Sequence, residues 1–314
     1  MRAILSTLVV AVAAVGSSGC KKSSRDLPDY SGGDPVRVLA TTGMIADATQ
    51  AVGGDRVQVD CLMGPGIDPH LFRAQPDHLT RIQQAHLVLY NGLHLEGKMT
   101  DVFADRAKSQ WTVGVAEKLP DLRQAEEGFE GTHDPHVWFD VRLWMKVVEK
   151  VRDTLVEVDP LHADVYRTNA AQYLDRLAAL DSEVREKIAR VPTERRVLIT
   201  AHDAFGYFGR AYGFEVKGLQ GVSTAGDTSG RDVQELADLI GTRKIKAVFT
   251  ETSVPDKGMK AVMEAVKSKY KGFEVRLAED KLYSDALGVP GSGGETYVGM
   301  VRHNVDAIVR GLRD

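Results

Sequence analysis

Only two cysteines, Cys20 and Cys61, occur in 314 residues. That scarcity excludes a disulfide-scaffolded mini-protein and any four-cysteine zinc or iron–sulfur site. A basic surplus is also missing: Lys plus Arg number 40 against 44 Asp plus Glu, a formal charge of −4. Nucleic acid is therefore a poor main partner, because neutralising phosphates needs a cationic surface. Beyond Val15 no apolar run approaches the length of about 20 residues that spans a bilayer. No His-Glu-x-x-His is present. Gly291-Ser292-Gly293-Gly294 lacks the Lys-Ser/Thr of a P-loop and the spacing of a dinucleotide fingerprint, and reads as a flexible turn. What is there is an ordinary globular composition, 43% hydrophobic and 27% charged, long enough for about two domains. Nine histidines make up the metal-binding inventory.

The N-terminus reads as an address. Met1-Arg2 is positive, and Ala3 to Val15 is apolar but too short to span a bilayer, so residues 1–19 suit a signal peptide. Gly16-Ser17-Ser18-Gly19-Cys20 resembles a bacterial lipoprotein cleavage site, with Ser17 where such sites usually carry Leu. Lipidation of Cys20 is the expectation, and a plain secretory signal is the alternative. Residues 20–35 are polar and rich in turn formers, the composition of a tether. The protein is then exported, periplasmic or at the cell surface, and anchored by lipid. Cys61, in the strand-like run Val57–Met63, reads as a small buried residue.

From Val36 strands and helices alternate, which predicts an α/β fold with mostly parallel sheets flanked by helices. Strands are expected at 36–41, 57–63, 87–90 and 111–115, with helices at 45–52 and 76–85. The rhythm repeats with strands at 196–200, 214–219, 247–250 and 273–277, and helices near 204–212, 232–240, 259–267 and 297–312. Between them Leu161 to Arg190 contains no Gly or Pro. Val165, Asn169, Tyr173, Leu177 and Leu180 recur at spacings of three and four, one helix face. About 45 Å of helix does not fit inside one lobe. The expected layout is an N-terminal lobe (36–158), a connecting helix (159–190) and a C-terminal lobe (191–314). A continuous connection of this kind predicts small lobe motion.

The candidate chemistry lies in the histidines. Asp68-Pro69-His70 follows a strand and a Gly/Pro-stiffened loop, and a second Asp-Pro-His occurs at Asp134-Pro135-His136. In both, proline restricts the chain just before the imidazole. His202 follows the strand at 196–200, where ligands bind in α/β sheets, and Asp285 lies in a loop after another strand. Three imidazoles and a carboxylate, two residues from each lobe, would close around a divalent transition metal, Zn²⁺ or Mn²⁺. Asp68, Asp134 and Asp203 are candidates for orienting the imidazoles. His133 is the best substitute ligand, and His94 could reach the site. His78, His86, His162 and His303 read as ordinary polar residues.

Met63–His70, Tyr90–Glu96, Asp134–Asp140 and Thr200–Tyr207 together resemble the zinc/manganese solute-binding proteins of ABC transporters, the TroA-like family, over nearly the whole mature chain. The resemblance implies two α/β lobes, a rigid connecting helix and one metal site between them. It also implies a membrane permease with its ATPase subunit as partner, and a monomer. Carried over by motif, the ligands are His70, His136, His202 and Asp285. Zinc-specialised members carry a His-rich loop before the second ligand. Here Pro120 to Thr132 is short and acidic, with Asp121, Glu126, Glu127 and Glu130 and no histidine. Manganese-specialised members carry a carboxylate where this chain has His202. The present set resembles members that accept both metals.

Two rival functions are defined by what they need. A zinc hydrolase requires an open coordination position and a general base, for which Glu251 is placed after a strand. A surface adhesin requires a partner site that no motif here encodes.

Overall fold

The computed structural model describes residues 30, 32–125, 129 and 131–313. The expected signal peptide, Cys20 and most of the tether lie outside these residues, as do Glu126, Glu127 and Glu130.

The first lobe contains β1 (Val36–Ala40), α1 (Gly43–Gly53), β2 (Val57–Cys61), α2 (Pro76–Gln84), β3 (Leu87–Tyr90), α3 (Thr100–Arg106) and β4 (Trp111–Gly114). Its four strands pair in the order β2-β1-β3-β4, all parallel, with Val38 opposite both Val59 and Leu87. The central strands are covered on both faces. Leu87, Val88 and Leu89 are therefore a continuous apolar run rather than an alternating one. Cys61 is half-buried and free, and its thiol donates to the Met63 carbonyl. Burial pushes the thiol up to about 11, so it is inert at neutral pH.

Two long helices follow, α4 (Val141–Val158) and α5 (Ala163–Ile188). The first is not among the expected elements. Asp140 caps it, its Oδ1 accepting from the backbone N–H of Arg142 and Leu143. It buries Val141, Trp144, Val148, Val151, Leu155 and Val158, a stripe of threes and fours against α1 and α5.

Helix α5 is the expected connection, 26 residues or about 39 Å long. Its buried face is Tyr166, Ala170, Tyr173, Leu177, Leu180, Val184 and Ile188. Val165 is 40% exposed, so the inward face is rotated from the expected one. Nor is the helix a free-standing rod, because this face belongs to one apolar core that continues from β1 to the last helix. Tyr173 donates to Asp47 of α1 at 2.8 Å, and Asp181 accepts from Arg142 of α4 at 2.8 Å. Tyr212 of the second lobe donates to Asp181 at 3.1 Å, so both lobes are fixed to one helix.

The second lobe contains β5 (Val197–His202), α6 (Gly206–Tyr212), β6 (Glu215–Gln220), α7 (Gly230–Arg243), β7 (Ala247–Val248), α8 (Lys257–Lys269), β8 (Arg276–Leu277) and α9 (Tyr297–Arg313). Here β5 pairs with β6 and β7 with β8, both parallel. The Phe249 N–H to Ile199 carbonyl bond joins the two pairs. The strands expected at 247–250 and 273–277 are thus two-residue ladders, continued by an isolated bridge from Glu251 to Leu282. No helix among the described residues is long and apolar enough to cross a membrane.

Candidate metal centre

The four candidate ligands lie C-terminal to strands, His202 at a strand end and the others on the segments beyond. His70 follows β2, His136 follows β4, His202 is the last residue of β5, and Asp285 follows β8. The structure brings these four side chains together, with one ligand atom from each within 4.8 Å of all the others. All four are buried, His136 and His202 completely. Nε2 of His70 lies 3.3 Å from Nε2 of His136. Asp285 Oδ1 lies 3.4 Å from His136 Nε2, and Oδ2 lies 3.2 Å from His202 Nε2. Bonds of about 2.0–2.1 Å to a tetrahedral cation set neighbouring ligand atoms about 3.3 Å apart. Three of the ligand pairs already have that spacing, and all lie within 4.8 Å.

The polar accounting fits the same occupant. His202 Nε2 and both carboxylate oxygens of Asp285 make no hydrogen bond. The ion-pair contacts at 3.2 and 3.4 Å compensate the burial of this carboxylate only in part, because neither is a well-aligned hydrogen bond. A divalent cation would satisfy all three atoms at once.

Carboxylates behind the imidazoles fix which nitrogen faces inward. Asp134 Oδ1 accepts from the His136 backbone N–H at 3.0 Å and lies 2.8 Å from its Nδ1. Glu251 accepts from the His202 backbone N–H at 3.0 Å with one oxygen and holds Nδ1 with the other. Both rings therefore turn Nε2 inward. Asp68 accepts from the His70 backbone N–H at 2.9 Å. Of the three expected orienting aspartates, Asp68 and Asp134 take such roles. The Asp203 backbone N–H goes to Gln220 and Gly221, and Glu251 holds His202.

Burial opposes charge on His136, but its contacts with Asp134 and Asp285 outweigh it and raise its pKa to about 9. His202 is likewise raised, Glu251 and Asp285 outweighing burial. His70 goes the other way, to about 3, because burial dominates the attraction of Asp285. For Asp285 burial acts upward, and the two raised imidazoles hold it well below the usual carboxylate range.

Several positioning residues carried no sequence signal of their own. Trp138 Nε1 donates to the Ser284 carbonyl at 2.9 Å, so a residue two beyond His136 anchors the loop that presents Asp285. Arg123 donates to Asp134 Oδ2 at 2.9 Å. Tyr207 at the start of α6 donates to the Asp134 carbonyl. Two glycines make room: a Cβ at Gly206 would overlap the Arg123 guanidinium, and one at Gly218 would strike the backbone of His202 and Asp203.

The remaining histidines stay outside the cluster. His133 contacts Thr132 and Gln124, and His94 is exposed with φ +63. His78 helps cap α2, and His86 is buried, its Nδ1 accepting from the Arg37 N–H.

Comparison with known proteins points the same way. The family model described as the periplasmic zinc-uptake complex component A matches residues 38–311. The manganese-binding lipoprotein MntA of Bacillus subtilis is 45% identical over 296 residues, covering 94% of this chain and 95% of that one. The zinc-binding protein TroA of Treponema pallidum is 47% identical over 280 residues, 89% of each chain. The solved structure of the Treponema pallidum periplasmic zinc-binding protein TroA superposes with a TM-score of 0.85 at 46% identity, over 90% of this chain and 100% of that one. With the cleft, the long connecting helix and the buried three-histidine, one-aspartate cluster, these matches show that the chain belongs to the periplasmic zinc-uptake complex component A family.

Proposed function

We propose that the protein is the extracytoplasmic solute-binding component of an ABC importer, capturing one divalent transition metal and delivering it to a membrane permease and its ATPase subunit. His70, His136, His202 and Asp285 are the ligands. The observation that carries this reading is the buried three-histidine, one-aspartate cage, whose ligand atoms lie within 4.8 Å of one another and three of whose polar atoms make no hydrogen bond. The protein acts as a monomer, held at the membrane by a lipid on Cys20.

Capture, not catalysis, is what the donor set favours. Four protein ligands complete a tetrahedral site and leave no open position for an activated water. Glu251, the base a hydrolase would need, already uses both oxygens on His202. Zn²⁺ and Mn²⁺ both suit the set. Affinity rises from Mn²⁺ to Zn²⁺ at most such sites, so binding strength alone does not name the cargo. Of the two relatives above, one is named for manganese and the other for zinc.

Metal analysis of the protein isolated from its own host, beside Zn²⁺ and Mn²⁺ titrations, tests the proposal. One equivalent of zinc or manganese is expected, and a metal-free protein that binds neither would overturn it. Metal-independent binding to a host protein would instead support the adhesin reading.

A further inference from the structure

The aspartate carboxylates of the two Asp-Pro-His turns take their outer partners from different lobes. In each, the aspartate Oδ1 accepts the backbone N–H of the histidine two residues on. The other oxygen of Asp134 is bound by Arg123, from the same lobe. The other oxygen of Asp68 is bound by the Thr224 hydroxyl at 2.5 Å. Thr224 is buried in the segment between β6 and α7, in the opposite lobe. The segment carrying His70 is otherwise a Gly64-Pro65-Gly66 loop, with Ile67 and Leu71 exposed. Among the described residues, the hydroxyl-to-carboxylate bond is the side-chain hydrogen bond that ties this segment to the second lobe, beside the approach of Gly66 to Thr252.

We propose that Thr224 is a latch for metal release: its hydroxyl, reaching across the cleft, keeps Asp68 and hence His70 in place, and withdrawal of the 221–229 segment frees His70 first. The inference rests on the metal-binding reading above. Its physical logic is that α5 is packed against both lobes, so wide hinge opening is opposed. A local device can then open the cage by loosening one ligand. Asp134 is held by a guanidinium from its own lobe, so His136 stays in place. Thr224 is a positioning residue, since its hydroxyl acts on Asp68 and reaches the cage only through it.

The test is stopped-flow transfer of Zn²⁺ from the loaded full chain to a chelator, for wild type, Thr224→Val and Thr224→Ser. Losing a bond to a carboxylate should speed release about tenfold in Thr224→Val. Thr224→Ser, which keeps the hydroxyl, should release at close to the wild-type rate. Equal release by wild type and Thr224→Val would overturn the latch, as would Thr224→Ser matching a fast Thr224→Val. Should Thr224→Val not fold, Thr224→Ala carries the same comparison. A wild type that binds no Zn²⁺ would overturn the metal-binding reading itself, a distinguishable failure.

Discussion

His70 and His136 come from the same tripeptide, yet the two turns behave as opposites. In the His136 turn the Asp134 carboxylate has a charged partner from its own lobe and holds both the backbone and the ring of His136, while Tyr207 and Trp138 tie the same turn to the second lobe. The His70 turn is held across the cleft, by a neutral hydroxyl on Asp68. Their protonation follows suit, with His136 lifted to about 9 and His70 lowered to about 3. The lesson is that a repeated motif fixes the local turn, while its surroundings decide whether the ligand is permanent or removable.

The sharpest way to break this comparison is to remove both aspartates in turn. Asp134→Ala should weaken Zn²⁺ binding about 100-fold, the upper range for a group that orients a ligand. It should also destabilise the metal-free protein by about 2 kcal/mol, because Arg123 loses its partner. Calorimetric titration and denaturant unfolding read the two effects. If Asp68→Ala loses more affinity than Asp134→Ala, the assignment of permanent and removable ligands is reversed.

Next in size is pH. His136 and His202 have raised pKa values and hold protons in the metal-free protein at neutral pH, whereas the metal takes their neutral forms. Lower pH therefore favours the metal-free state. Affinity should climb about tenfold per pH unit for each proton displaced, from about pH 7 to the His136 value of about 9. Asp134→Asn should flatten that rise. Titrations in buffers of differing ionisation heat count the protons released, and release of none would contradict the account.

A smaller effect is expected at Glu251. Glu251→Gln keeps a group that can hold the His202 Nδ1 proton but removes the charge, and affinity should fall about tenfold. Unchanged affinity would mean that Glu251 acts through shape alone.

Much of this was legible in the sequence, for reasons that can be named. The parallel sheet of the first lobe follows from short apolar runs such as Leu87–Tyr90, whose burial on both faces leaves no polar alternation. His70 and His136 were legible from the repeated Asp-Pro-His and His202 from its place at a strand end, while the full set with Asp285 came from the family resemblance of the motifs. Helix α4 was not. Its many valines have weak helix propensity, and only packing against α1 and α5 makes its stripe decisive. Val165 misled because its spacing fits a face that tertiary packing rotated toward Tyr166 and Ala170. Glu251, Arg123 and Thr224 were illegible as partners of the cage because each meets its partner through the fold. Thr224 and Asp68 are 156 residues apart, and no local pattern encodes that meeting.

The most direct test of the central claim is a Zn²⁺ titration of wild type beside His202→Ala and Asp285→Asn, read by calorimetry. The account predicts one tight equivalent in the wild type and an affinity at least about 100-fold weaker in each variant. A variant that still binds one equivalent as tightly as the wild type would show that the cation sits elsewhere.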